Sequence, residues 1–251
     1  VSLDVNAADK DKGVQLASII KALVLAQDDV ANARARSLLQ IKQTTIASRK
    51  FATIDFILPG QLGFSLLAAS VFGTAFVFYN LRQTLVLKRF FATPIKRQYI
   101  LLAEGCARMI FQLLAAIFII LIGHYVFGYT LIHGAFTVLN MLVVCAIALL
   151  VFMSFGFIIS GLAKSESTIP PLSNIITLPQ FLLAGTFFSI EAFPTWMQPI
   201  PKALPLTYLN DALREIAFNG ASLWDVRFDI AVLLLWGVIG YFVASRVFKW
   251  E

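Results

Sequence analysis

The chain has 251 residues, of which 59% are hydrophobic and only 14% charged, with a mean hydropathy of +0.82. Soluble domains carry about 25% charged residues, so this composition excludes an ordinary water-soluble fold and indicates an integral membrane protein. The net charge of +6 does not imply a nucleic-acid partner, because many basic residues lie beside apolar runs, where retention on the cytoplasmic side accounts for them.

The chain starts at Val1 rather than at a methionine and shows no signal peptide, so a fragment with sequence upstream is expected. Residues 1–50 hold eight basic and five acidic residues and no long apolar run. Val1, Leu3 and Val5 alternate with polar residues as in a half-buried strand, and Leu16, Ile19, Ile20, Leu23 and Val24 recur at helical spacing. One strand and one helix cannot bury a core, so residues 1–50 read as the end of a small α/β domain, with an unstructured leader as the alternative.

Residues 51–251 read as an all-α polytopic membrane domain. Residues 56–80 form a charge-free run long enough for a span, which needs about 20 residues, with Pro59 and Gly60 placed in its first turn. Residues 81–97 come next, with five basic residues and no acidic one; Pro94 ends the helical pattern, leaving a basic amphipathic helix over about 81–91 suited to the membrane interface. A second span covers about 99–123 and carries Glu104 and Arg108 one turn apart. Residues 109–163 contain no charge, and the three glycines of 123–134 divide them, giving a third span at about 135–162. The fourth, about 168–190, contains Pro170, Pro171 and Pro179 and should be kinked or partly unwound. Residues 194–219 are amphipathic and proline-rich and read as two half-helices, 195–204 and 206–219, in a re-entrant hairpin. The fifth span, about 228–248, has Asp229 and Arg246 snorkelling at its ends.

Five bases in the 81–97 connection, against four acids and three bases in 191–227, place the former in the cytoplasm and the latter outside. Residues 1–50 then lie outside and the C-terminus inside. Arg49 and Lys50 run against this rule, but long domains translocate largely regardless of charge.

The segment Thr84-Leu-Val-Leu-Lys-Arg-Phe-Phe-Ala-Thr-Pro94 resembles the first cytoplasmic connection of type-2 ABC transporter permeases. Leu178-Pro-Gln-Phe-Leu-Leu-Ala-Gly-Thr-Phe-Phe188 is similar to that family's fifth membrane helix. Phe193-Pro-Thr-Trp-Met-Gln198 with Pro205-Leu-Thr-Tyr-Leu-Asn-Asp-Ala-Leu-Arg214 resembles its extracytoplasmic hairpin, and Phe56-Ile-Leu-Pro-Gly60 the start of its second helix. The resemblance implies six membrane helices in the full subunit, the first missing here, and an extracytoplasmic domain after it, as in the drug-exporter branch. It further implies a dimer with a second permease subunit (identical or a close paralogue), an ABC ATPase subunit that carries ATP and magnesium, a bacterial inner-membrane location and, in some members, a periplasmic adaptor. Arg82-Gln83 depart from the acidic residue and glycine that many members carry just before the Thr-Leu of the cytoplasmic motif.

On this resemblance Arg82, Thr84, Leu85, Lys88, Arg89, Phe90, Thr93 and Pro94 form the coupling segment to the ATPase; an ordinary basic loop that anchors topology is the plainer alternative. Phe193, Pro194, Trp196, Pro205, Tyr208, Asp211 and Arg214 form the hairpin and a candidate outer gate, the alternative being a solvated half-helix face. Glu104 and Arg108 are either a functional intramembrane pair or a self-neutralised structural one. Phe64, Phe72, Phe76, Phe181, Phe187 and Phe188 either line a cavity or pack helices. His124 and His133 flank an outer turn and read as helix caps. Neither a catalytic group nor a metal site is expected, and Cys106 and Cys145 read as inert thiols. The chain holds no Gly-x-x-x-x-Gly-Lys-Ser/Thr loop, so it is not itself read as an enzyme. A channel would need rings of charge or a polar-lined pore, and a membrane-embedded enzyme a nucleophile–base pair within the spans; both stand as alternatives, separated from the exporter by co-purification with an ATPase.

Overall fold

The computed structural model describes residues 3–6, 43–46, 53–83 and 97–247. Two compact units divide the chain, Val1–Ala52 and Thr53–Glu251. In the first, strands β1 (Leu3–Asn6) and β2 (Gln43–Ile46) pair in parallel, Leu3 opposite Gln43 and Asn6 opposite Ile46. Parallel neighbours need a crossover of about a dozen residues or more, and the chain between them is ample for it. The helix expected near residues 16–26 lies outside the described residues.

The second unit is helical. Its elements are α1 (Thr53–Gln83), α2 (Arg97–Phe127), α3 (Ala135–Leu162), α4 (Ile169–Leu183), α5 (Pro199–Ala203), α6 (Pro205–Arg214) and α7 (Arg227–Val247), with a π-helical turn at Glu215–Asn219. Among the described residues, α1, α2, α3 and α7 are each long and apolar enough to cross a membrane. The all-α polytopic architecture expected from the sequence is the one observed.

Three features differ from the sequence reading. Helix α1 begins at Thr53, so Pro59 lies inside it rather than in its first turn; its ring removes the donor that would close on the Asp55 carbonyl and opens the ladder there. The fourth span is not one helix over 168–190. A 3-10 turn, Glu166–Thr168, leads into α4 with Pro170 and Pro171 in its first turn, and α4 ends after 15 residues at Leu183. Beyond Leu183 the backbone is irregular as far as the turn Ile190–Ala192, because Gly185 takes φ 71°, a left-handed conformation that stops a helix and that glycine adopts without a Cβ clash. Finally, the first arm of the hairpin is helical only over Pro199–Ala203, since the prolines at 194, 199 and 201 leave few backbone donors to build with.

Helix α1 packs chiefly on α3, and α3 in turn on α7. The α1–α3 approach is set by Gly156, where a Cβ would stand 2.6 Å from Thr74 Cβ and 2.8 Å from the Val71 carbonyl oxygen. Small residues at such crossings let backbones meet closely, the main source of cohesion between helices in lipid. Buried Leu62, Leu66, Val71, Ala75, Val144, Ala148, Phe152 and Ile159 fill this contact. Ile110, Phe111, Phe118 and Tyr125 of α2, and Leu235, Val238 and Phe242 of α7, remain exposed, as a bilayer solvent permits.

Candidate functional site

The charged and polar side chains converge at the two ends of α1. At its Gln83 end, Arg82 Nη2 donates to the Ala163 carbonyl at 2.8 Å, its guanidinium lies 5.5 Å from the Tyr79 ring centroid, and the Tyr79 hydroxyl reaches the Lys164 carbonyl at 3.5 Å. The carbonyls at the end of a helix lack intrahelical donors, so Arg82 both satisfies one and fixes the end of α3 to the end of α1. Arg82 is thus the last turn of a span rather than the start of a separate coupling helix: residues 81–83 continue α1. Thr84, Leu85, Lys88, Arg89, Phe90, Thr93 and Pro94 lie outside the described residues.

At the other end, α1 is held by the hairpin. The Arg214 guanidinium sits 3.8 Å from the Phe56 ring centroid and donates to the Phe56 carbonyl from Nε at 3.3 Å and Nη2 at 3.2 Å. Nη2 also donates to the Gly185 carbonyl, and Nη1 to Asp211 Oδ1 at 3.3 Å. One side chain of α6 therefore ties together the start of α1, the unwound turn after α4 and its own helix. Asn210 Nδ2 adds a bond to the Ala184 carbonyl at 3.0 Å, and Gln180 Oε1 accepts from the Leu206 backbone at 3.3 Å. At Gly60 a Cβ would stand 2.7 Å from the Thr186 carbonyl oxygen, so the unwound turn lies directly on α1.

The remaining hairpin residues shape this cap. The Phe193 carbonyl accepts from Gln198 Nε2 at 3.0 Å and the Pro194 carbonyl from the Met197 backbone at 2.8 Å. Pro205 starts α6, and the Tyr208 hydroxyl donates to the Lys202 carbonyl at 2.6 Å. Trp196 is 75% exposed. Phe56, Glu191, Gln198, Lys202, Tyr208, Asp211 and Arg214 are among the residues around a pocket of about 370 Å³ at this end. A third tie joins the same end of α1 to the α2–α3 turn: buried Asp55 accepts from the Thr130 backbone at 2.9 Å, and His124 Nδ1 meets the Tyr129 carbonyl at 2.8 Å, closing the end of α2.

Burial pushes the Asp211 carboxyl above its ordinary range, and the Arg214 cation only partly opposes this. Protonation of Asp211 thus favours the folded cap, and its contribution to stability rises rather than falls as pH drops through that raised value. Asp211→Asn keeps an acceptor for Arg214 and removes a desolvated charge, so the thermal midpoint at neutral pH should hold within about 2 °C or rise. A pronounced loss would show that the ion pair, not the hydrogen bond, holds the cap.

Glu104 and Arg108 do pair, Nε to Oε1 at 2.9 Å. Of the aromatic candidates, Phe64 lies 3.9 Å from Phe181, which meets Phe187 at 4.9 Å, joining α1 to the end of α4. The sequence reading does not single out Asp55, Gln180, Asn210 or Gly185. Gln180 and Asn210 carry a usable signal, each an amide on an apolar helix face that needs a partner when buried; the Asp55–Thr130 tie carries none.

Four span-length helices capped by a short-helix hairpin and lashed along one central helix define a polytopic membrane domain. The chain belongs to the ABC-2 type transporter family, whose pattern it matches over residues 16–218. It is 25% identical over 232 residues to ABC transporter G family member 20 of Dictyostelium discoideum, covering 92% of this chain and 31% of that protein. It is 26% identical to Nodulation protein J of Rhizobium meliloti over 113 residues, 45% of this chain and 43% of that one. Linearmycin resistance permease protein LnrN of Bacillus subtilis is 22% identical over 126 residues, 50% of this chain and 32% of its own length. The chain thus spans under half the length of each of these relatives.

Proposed function

We propose that this chain is the permease part of an ATP-driven exporter, in which two such parts work with two ATPase subunits that bind ATP and magnesium. The cargo is an amphipathic or hydrophobic molecule, drug-like or lipid, taken from the cytoplasm or inner leaflet of a bacterial inner membrane. The family, and the presence of a linearmycin resistance permease among the relatives, support the reading. The 251 residues hold no nucleotide-binding loop, so the motor is supplied from outside them.

The observation that carries the mechanism is the set of ties at both ends of α1. Arg82 fixes one end to α3, and Arg214 and Asp55 fix the other to the hairpin and the α2–α3 turn. A rod of 31 residues, about 46 Å long, carries a push at one end to the other because its ends are lashed. The basic stretch directly after Gln83 is the place where an ATPase would push. In this mechanism α1 and the hairpin tilt together, and cargo leaves between the hairpins of the two subunits.

Charge reversal at Lys88 and Arg89 together should abolish capture of an ATPase from mild detergent while membrane insertion stays normal. Capture at the wild-type level would remove the coupling role. The sidedness has its own check: a cysteine at Thr195 should react with an impermeant reagent from outside intact cells, and reaction only after lysis would invert the topology.

A further inference from the structure

On α2 the charged groups stop abruptly. Residues 109–127 contain no Lys, Arg, Asp or Glu, and these 19 residues measure about 28 Å, close to the ~30 Å hydrocarbon thickness of a bilayer. Helix α1 gives an independent ruler. The Arg108 guanidinium lies against Gly73, which is 18 residues and thus about 27 Å along α1 from Asp55, the residue tied to the α2–α3 turn. The charge-free run of α2 therefore sets Arg108 at the hydrocarbon boundary of the leaflet opposite the hairpin, the inner one on the sidedness proposed above, and the length of α1 from Asp55 to Gly73 is in keeping with it. Side chains of a helix lean towards its N-terminus, so Arg108 reaches from α2 further towards that headgroup layer.

The guanidinium is held but not saturated. Nε is engaged by Glu104 at 2.9 Å, whereas among the described residues no hydrogen bond occupies Nη1 or Nη2. Gly73 makes the room: a Cβ there would collide with Nη1. Gln112 stands one turn beyond Arg108, so Glu104, Arg108 and Gln112 share a polar stripe on α2, with exposed Phe111 beside it. A held, partly desolvated guanidinium whose Nη groups carry no hydrogen bond among the described residues has donors left for a phosphate or carboxylate oxygen, and an aromatic ring beside it suits an acyl chain.

We infer that Glu104, Arg108 and the notch at Gly73 form a recognition site for the anionic headgroup of an inner-leaflet amphiphile. Glu104 positions the guanidinium, Arg108 takes the phosphate-class oxygens, and the groove between α1 and α2 receives the chain. This deepens the exporter reading and rests on its sidedness: an acidic amphiphile is the kind of molecule that gains access here from the membrane.

The test uses the complete permease in mild detergent, with equal amounts of phosphatidylglycerol and phosphatidylcholine of matched chains, and counts retained lipids by native mass spectrometry. Wild type should favour phosphatidylglycerol by about tenfold, the worth of one good charge-assisted contact. Arg108→Gln should bring the ratio close to one, as should Gly73→Val, which keeps the charge and displaces it. The double variant Glu104→Gln with Arg108→Gln leaves no orphaned carboxylate and should do the same if the single variant folds poorly. Arg246→Gln, a cation at the end of α7, should leave the ratio unchanged. Absence of a preference in wild type, or its survival in both Arg108 variants, would overturn the site. Dodecyl phosphate then separates the sources: displacement of phosphatidylglycerol marks a site open to cargo, and retention against excess marks a resident lipid. No ATPase is needed for this measurement, so its failure is distinct from failure of the exporter reading.

Discussion

Arg214→Ala should detach the hairpin from α1 and lower stability by about 3 kcal/mol, since bonds from a charged donor are worth roughly 1.5–3 kcal/mol each and three acceptors lose theirs together. Arg214 is the common donor to Phe56, Gly185 and Asp211, and its stacking over Phe56 goes as well. In a domain of this size the loss corresponds to a fall of roughly 5–10 °C in thermal midpoint, measurable by dye-monitored melting in detergent. Arg214→Lys keeps the charge but not the fork, and should recover less than half of the difference. If alanine melts with wild type, the cap is held by its apolar contacts and α1 has no grip on the hairpin.

The second large effect lies in the middle of the membrane domain. Gly156→Leu should prevent folding, and Gly156→Ala alone should cost about 2 kcal/mol, in the range of overpacked cores. The added carbon meets the α1 backbone at Val71, which cannot rotate away as a side chain can, so α1 and α3 must separate. Separation also pulls Arg82 from the Ala163 carbonyl, which spreads the damage to the end of both helices. Gly105→Ala is the control: its Cβ meets only the flexible Met153 Cε at 3.3 Å and should be close to neutral. Yield of folded protein by size-exclusion chromatography separates the two sites. Equal tolerance at Gly156 and Gly105 would show that the α1–α3 crossing is looser than its geometry indicates.

Much of this architecture is legible because lipid imposes simple demands. Charge-free runs mark spans, and Gly128 and Gly134, both at positive φ, mark the turn between α2 and α3. The prolines of the fourth span announce irregularity but not its place. Pro170 and Pro171 open α4, where proline is tolerated, and the break falls at Gly185, a residue with no distinguishing neighbour in sequence. The pairing of Glu104 with Arg108 is readable from helical spacing alone. The grip of Arg214 on Phe56 is not, for the two are 158 residues apart and the acceptor is a backbone carbonyl, which leaves no mark in sequence. The same holds for Asp55 and the Thr130 backbone. Local periodicity places elements; the ties at the two ends of α1 depend on which ends meet.

The most direct measurement is the distance between spin labels at Trp196→Cys in the two permease subunits of the proposed dimer, in a background lacking Cys106 and Cys145. Trp196 is exposed, so the label reports the hairpin without disturbing its hold. With α1 as the link, trapping the ATPase with ATP and vanadate should shift this distance by several ångströms, and Arg214→Lys should reduce the shift. No shift on trapping, or an undiminished one in Arg214→Lys, would contradict transmission through α1.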